Sequence, residues 1–486
     1  MSITDANSFR LFSFAVISLF VGLALLFRCS DDDGPRSRHD LTHRYQPLMN
    51  ADQLPLTLVL LPPLGLMIVG PGRTAEFALA LCFQSFLHIA AYYALLLPLT
   101  PLLRRFISAR GCAMLWLLPN FLYPCLNSTF LPDAPAFVLR ARGNWVWLVL
   151  GLWLVGTISV FGWNTLSHLR FRRQLLEGAW PITDEEVLDI WQEEMDQAQM
   201  EPLSCPLVIS PHTSTPLTVG LFRWTLQVVL PPRTYTPDEL HLVFRHEIVH
   251  ICRRDSWNKF FLMFCTALCW FDPLMWMAMR RSAEDTELSC DETVLLDADE
   301  ATRRQYAQLL LTTAGDGRGY TTCLSPVAAS LRYRLRSVVA PRRRAAGDIL
   351  VGLVLFLLMS SFGYVALSYD ERTGADIFFG GDPAGYTLHS VRRDGKLLDC
   401  SDPEALMDYL SALPLAHLTG DYDYGQQDRT TYVLYFDAPK EVTRNLCVVL
   451  SGRQCKMDPS NGRAFQPPYY LPEGVDIEQL DSLLTS

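Results

Sequence analysis

The 486-residue sequence predicts a polytopic helical membrane protein, mainly α, with one α+β domain in the cytoplasm and a smaller α+β domain outside the cell. Three observations predict it. Half of the residues are apolar and only 19% are charged, which is a membrane-protein composition. Five stretches before residue 165 and one after 345 approach the roughly 20 apolar residues that a helical crossing requires. Two long, more polar segments, 164–345 and 369–486, remain between and after them. A formal charge of −10 argues against direct nucleic-acid contact, because phosphate binding needs Lys and Arg clustered on a folded face.

The candidate crossings are residues 11–27, 54–70, 77–103, 112–131, 145–163 and 349–367. Pro62 and Pro63 interrupt the second, and Pro119, Asn120 and Pro124 interrupt the fourth, so either reads as a kinked or re-entrant piece. The region 1–163 therefore crosses three to five times. The first stretch lacks a small-residue cleavage site and runs into "RCSDDDGPRSRHD", the pattern of a retained anchor. Arg28, Arg36, Arg38 and Arg44 follow the first crossing, Arg104, Arg105 and Arg110 the third, Arg170, Arg172 and Arg173 the fifth, and Arg342, Arg343 and Arg344 precede the last. That bias places the N-terminus outside, residues 164–345 in the cytoplasm and 369–486 outside. His88, inside the third crossing, reads as a helix-interior hydrogen-bonding group.

The cytoplasmic segment opens on a charged helix, "DEEVLDIWQEEMDQAQM", then alternates in "CPLVIS" and "RWTLQVVLPPR" as a small sheet would. The exterior segment has strands in "YTLHSV", "TYVLYF" and "LCVVLS", and helices near 402–413 and 476–484. Thirteen cysteines form no regular framework, and the three exterior ones, Cys400, Cys447 and Cys455, allow at most one bridge.

The chemistry concentrates in "TPDELHLVFRHEIVHICRRD". Thr236, Pro237 and Glu239 form a helix-opening capping box. His246 and His250, one turn apart, can then converge on one Zn2+, while Glu247 is placed to take a proton from zinc-bound water. A second helix begins at Asp272 and Pro273. On it Glu287 is the third ligand expected from a carboxylate of a separate helix, and Asp291, four residues on, is the acid expected to accept a histidine N–H. Glu284 lies on nearly the same stripe as a rival ligand. Arg254 and Asp255 read as residues that end or brace the first helix and do not act on substrate. Residues 260–271, "FFLMFCTALCWF", fit either a membrane-embedded hairpin or the core between two helices.

The order "STPLTVGLFRWTLQVVLPP", "HEIVH" with "RRD", "WFDPLMW" and "ELSCDETVL" resembles the BlaR/MecR-type integral-membrane zinc metallopeptidases, the gluzincin antirepressor receptors of β-lactam resistance. The resemblance is close over residues 200–300 and follows the flanking crossings in layout. It implies a gluzincin-like cytoplasmic domain in a bacterial cell membrane, His246, His250 and Glu287 on zinc, Glu247 as the catalytic glutamate and Asp291 as the supporting acid. It also implies cleavage of a cytoplasmic winged-helix repressor, and self-cleavage, in answer to an external ligand; a homodimer is left open. The exterior segment lacks the S-x-x-K, S-x-N and K-T-G elements of a penicillin sensor, and the one S-x-x-K, Ser256 to Lys259, adjoins the histidine helix. An unknown ligand is therefore expected. The rival expectations are a non-catalytic receptor that uses zinc only to hold its fold, and a housekeeping membrane protease.

Overall fold

A computed structural model describes residues 63–68, 70–119, 132–198, 205–315, 326–339, 347–420, 430–438, 445–459 and 469–485, with isolated gaps, and a helical piece within 11–19. Most of the first two expected crossings, the second half of the fourth, and the basic run 342–344 lie outside the described residues.

Helix α1, Pro71–Phe106, opens with Pro71 at its first position and ends with Arg104 and Arg105 in its last turn. Its 36 residues reach roughly 54 Å. Helix α2, Ala109–Leu117, is capped by Ser108, whose hydroxyl accepts from the Gly111 N–H. At nine residues it is too short to cross, and almost all of it is buried among other helices. Strand β1 (Phe137–Arg140) precedes helix α3, Trp145–Leu176. Among the described residues two helices, α1 and α3, are long and apolar enough to cross a membrane. On α3, Leu148, Leu152, Val155 and Ile158 are each at least 60% exposed, an apolar face that water would not tolerate.

Next come β2 (Trp180–Pro181), helix α4 (Glu185–Gln197), and β3 (Leu207–Ile209), β4 (Leu217–Val219) and β5 (Gln227–Leu230). They form a four-stranded sheet in the order β2-β3-β5-β4, with β3 and β5 parallel and β4 at one edge. Helices α5 (Pro237–Cys252), α6 (Asp255–Leu268), α7 (Pro273–Val294), α8 (Glu300–Gly315) and α9 (Pro326–Val339) complete this part. Buried Glu194 of α4 pins α5 from outside: it accepts two hydrogen bonds from Arg245 and lies 2.9 Å from His241 Nδ1.

The α6–α7 hairpin does not stay with the sheet. Phe261, Leu262, Phe264 and Cys265 share one core with Ile89 and Tyr93 of α1 and Trp116 of α2. At its tip the Trp270 ring lies over Gly156 of α3, and the Trp153 indole donates to the Leu268 carbonyl at 2.7 Å. Residues 260–271 are thus the core between two helices, and they also pack against α1, α2 and α3. The two readings are compatible because the hairpin core is the bundle core.

Helix α10, Asp348–Ser360, is shorter than the expected crossing at 349–367. Gly363 takes a left-handed φ of 87°, which breaks the helix, and residues 365–367 start strand β6 (Val365–Thr373). The last domain therefore begins near 365. Strands β7 (Thr387–Arg393), β8 (Lys396–Cys400), β9 (Pro414–Leu418), β10 (Thr431–Asp437), β11 (Leu446–Ser451), β12 (Gln454–Pro459), β13 (Tyr469–Tyr470) and β14 (Leu484–Thr485) join it. Helices α11 (Pro403–Ala412) and α12 (Ile477–Leu483) accompany them. The sheet runs β1-β6-β9-β13-β12-β11-β10-β7-β8-β14. Cys400 and Cys455 carry free thiols, so no bridge forms among the three C-terminal cysteines.

Strand β1 pairs in parallel with β6, which puts the segment before α3 on the same side of the bundle as the C-terminal domain. Helix α1 joins the two ends. Leu79 packs with Tyr369 of β6, Gln84 donates to the Thr419 carbonyl at 2.7 Å, and the His88 ring lies 2.8 Å from the Ser361 carbonyl. At its far end Arg104 donates to Asp285 of α7 at 2.7 Å.

A methyl added at Gly156 would lie 2.2 Å from the Trp270 ring. Gly156→Ala should therefore cost about 1–3 kcal/mol of stability, read as a lowered thermal midpoint in detergent. The same change in a Trp270→Ala background should cost little, because the clash is gone.

Candidate metal centre

The capping box forms at the start of α5. The Thr236 hydroxyl accepts from the Glu239 N–H at 3.3 Å, and the Glu239 carboxylate accepts from the Thr236 N–H at 3.0 Å. Ten residues on, the helical period brings His246 and His250 to one face with their Nε2 atoms 3.2 Å apart. Glu287, from the middle of α7, puts one carboxylate oxygen 3.7 Å from His246 Nε2 and the other 3.7 Å from His250 Nε2. Ligands about 2.05 Å from a tetrahedral ion stand roughly 3.3 Å apart, so the three donors have the spacing such an ion needs. The rival Glu284 points elsewhere, to Arg281 at 2.9 Å and Arg104 at 3.4 Å.

The tautomers agree with that use. Asp255 Oδ2 lies 2.7 Å from His250 Nδ1, which fixes that nitrogen as the donor and leaves the Nε2 lone pair free. Asp255 was expected to end or brace the helix, and the bracing falls on the ring of His250. Arg254 in a left-handed turn, with φ of 54°, folds the start of α6 back and carries Asp255 under His250. On the other side the Tyr306 hydroxyl of α8 donates to Asp291 Oδ1 at 2.6 Å and accepts from His246 Nδ1 at 2.9 Å. With both Nδ1 atoms so engaged, the two Nε2 atoms face each other across 3.2 Å and, once deprotonated, can donate to one cation.

Asp291 differs from expectation. Its nearer oxygen is 3.7 Å from His246 Nδ1, too far for a hydrogen bond, and its carboxylate receives the Tyr306 hydroxyl and two N–H groups of Arg334, both at 2.7 Å. It reaches His246 through Tyr306. The reason is packing: α8 and α9 close over this end of α7 and insert two side chains that no spacing within α7 reveals. Cys290 was not singled out beyond its burial. Its Sγ could join His246 and His250 around an ion, yet it lies 3.3 Å from His246 Nδ1 and 4.0 Å from Nε2, behind the ring. Glu287, equidistant from both Nε2 atoms, is the better-placed third donor.

Glu247, buried beside the pair, accepts from the Thr218 hydroxyl of β4 at 2.7 Å. It opens, with the three donors, on a cleft of about 320 Å3 bounded by residues 215–218, Leu242, Leu310 and Arg334. Without an ion, protons hold the site. Burial disfavours the His246 imidazolium, but Cys290 and Glu287 outweigh it and keep its pKa at about 10. Burial likewise opposes ionisation of Glu287, yet the His250, His246 and Lys259 cations hold it well below the usual carboxylate range.

Residues 122–337 match the BlaR1 peptidase M56 family, a stretch that contains every residue of this site. The Regulatory protein BlaR1 of Bacillus licheniformis is 23% identical over 231 residues, 44% of this chain and 37% of that protein. Over this middle segment the chain is similar to BlaR1/MecR-type proteins. The match covers little more than a third of the curated BlaR1 relative's length. A metallopeptidase family implies a metal, and the paired Nε2 donors with Glu287 fit one.

Two outcomes are expected. Asp255→Ala should weaken metal affinity about 10–100-fold in competition titrations against a chelator, with the fold retained by circular dichroism. Metal uptake must displace the His246 proton, so at pH 7 it should release protons, measurable by calorimetry in buffers of different ionisation enthalpy. Affinity should rise with pH up to the His246 value of about 10.

Proposed function

We propose that this chain is a membrane-embedded zinc endopeptidase of signal transduction, cutting a cytoplasmic protein, a winged-helix repressor by the BlaR1 likeness, and itself, in answer to an external signal. The observation that carries the reading is the convergence of two Nε2 lone pairs and one carboxylate on a point beside Glu247, within a cleft walled by a free strand edge. Bound zinc would supply a polarised water and a Lewis acid for the scissile carbonyl.

The protein's own groups supply the rest. Glu247, oriented by the Thr218 hydroxyl, takes the proton of the attacking water and delivers it to the leaving amine. Strand β4 pairs with β5 on one side only, and residues 215–218 line the cleft. An extended peptide can therefore add beside β4 as a further strand, with its backbone held by hydrogen bonds and one carbonyl led to the metal side. Such a mode asks for an unfolded or looped segment, which suits a linker in a repressor or in this chain. Membrane association is supported by the BlaR1 likeness and by the exposed apolar faces of α1 and α3. The sensor is a separate matter: the C-terminal domain shares no penicillin-acylation motif, so its ligand is of another kind.

Glu247→Gln should retain bound metal and lose about 10^2–10^4-fold in cleavage of itself or of a co-expressed winged-helix repressor, read by immunoblot and by metal analysis. Equal cleavage by the two proteins overturns the enzymatic reading. Signalling kept in Glu247→Gln but lost with the fold in His246→Ala identifies a structural metal instead.

A further inference from the structure

A second cavity, of about 270 Å3, is lined by residues of α6 and α7 and closed by α2. Its floor is apolar, made by Ala113 and Leu117 of α2 with Leu262 and Met279. The charged residues that line it are two cations, Lys259 and Arg280, and no acid. Among the described residues no carboxylate pairs with Arg280, and Lys259 keeps half of its side chain exposed.

The sequence sets these two cations at one height. In α6 the polar run "DSWNK" gives way to "FFLMFCTALCWF" after Lys259; in α7 the apolar run "PLMWMAM" gives way to "RRSAEDTE" at Arg280. The helices are antiparallel, so both switches fall at the same level, and the shared cavity puts the two residues side by side there. Beyond that level the hairpin runs into the bundle, to Trp153 and Gly156 in the apolar stretch of α3. Arg280 is five residues, roughly 7.5 Å along the axis, on the membrane side of Asp285, which meets the end of α1. A switch from apolar to basic side chains at one depth is where a helix passes from hydrocarbon to headgroups.

From this we propose that the crevice between α6 and α7 is a binding site for one anionic phospholipid, its phosphate between Lys259 and Arg280 and an acyl chain along Leu262 and Met279 toward Ala113. The inference rests on the membrane association in the proposed function and does not depend on catalysis. It brings the lipid within one side chain of the metal centre, because the Lys259 ammonium also stands 3.5 Å from a Glu287 oxygen. An anionic headgroup and Glu287 thus draw on the same cation, whereas a zwitterionic lipid offers Lys259 no net charge.

The test is native mass spectrometry of the full chain, purified in detergent and titrated with phosphatidylglycerol or phosphatidylcholine. Phosphatidylglycerol should be retained selectively. Arg280→Gln, outside the metal centre, should lower that retention about fivefold, and Ala283→Trp, at the crevice mouth, should abolish it, both with unchanged metal content and thermal midpoint. Equal retention of the two lipids, or undiminished retention by both variants, overturns the site. So does displacement of the lipid by millimolar inorganic phosphate, which would mean a free-anion site. A chain that fractionates without membranes refutes the membrane reading itself, and inactivity of a lipid-bound chain refutes only the peptidase reading.

Discussion

The position of α7 is the constraint on which the rest hangs, and a buried carboxylate fixes it. Asp285, wholly inside the protein, accepts from Arg104 at 2.7 Å and from the Trp116 indole at 2.7 Å. Removing one partner of such a buried pair costs about 3–5 kcal/mol, because the other charge is left without water or counter-ion. The bond therefore sets both the depth and the rotation of α7. Two residues farther on, that rotation aims Glu287 at the histidines; one turn beyond it, Asp291 meets Tyr306 and Arg334.

The same helix belongs to two environments at once. Its start is apolar, with Met275 and Ala278 sharing a core with Tyr93 of α1 and Trp116 of α2; its end is polar and closes the metal centre. Because one rigid element spans both, the bundle and the metal centre share a geometry, and a shift of α1 relative to α7 would be felt at Glu287. Tyr333, whose ring lies 5.2 Å from the Arg104 guanidinium, ties α9 to the same knot. Helix α9 also supplies Arg334. In chain order it lies between the helices of the metal centre and the last apolar helix, which leads to the C-terminal domain.

The metal centre itself is held by complementary hydrogen bonds more than by the two histidines. Each imidazole is oriented from behind, His250 by a carboxylate and His246 by a phenol that is itself backed by Asp291 and Arg334. Removal of either backing group would free a ring to turn, and the ion would lose a donor without any ligand being changed.

Much of this was readable in the residues. The capping box, the four-residue spacing of His246 and His250, and the register of Glu287 follow from the 3.6-residue helical period, which acts within one element and needs no knowledge of its neighbours. Strands β3, β5, β10 and β11 likewise show in their alternation. What chain order could not reveal is which separate elements meet. Asp255 needed the left-handed turn at Arg254, and Tyr306 and Arg334 needed the closure of α8 and α9 over α7. Local periodicity is dictated by backbone geometry, so sequence alone determined the histidine pair and its helix. Side chains from distant segments are brought together only by packing, so the tertiary structure decided the partners that make the pair a site.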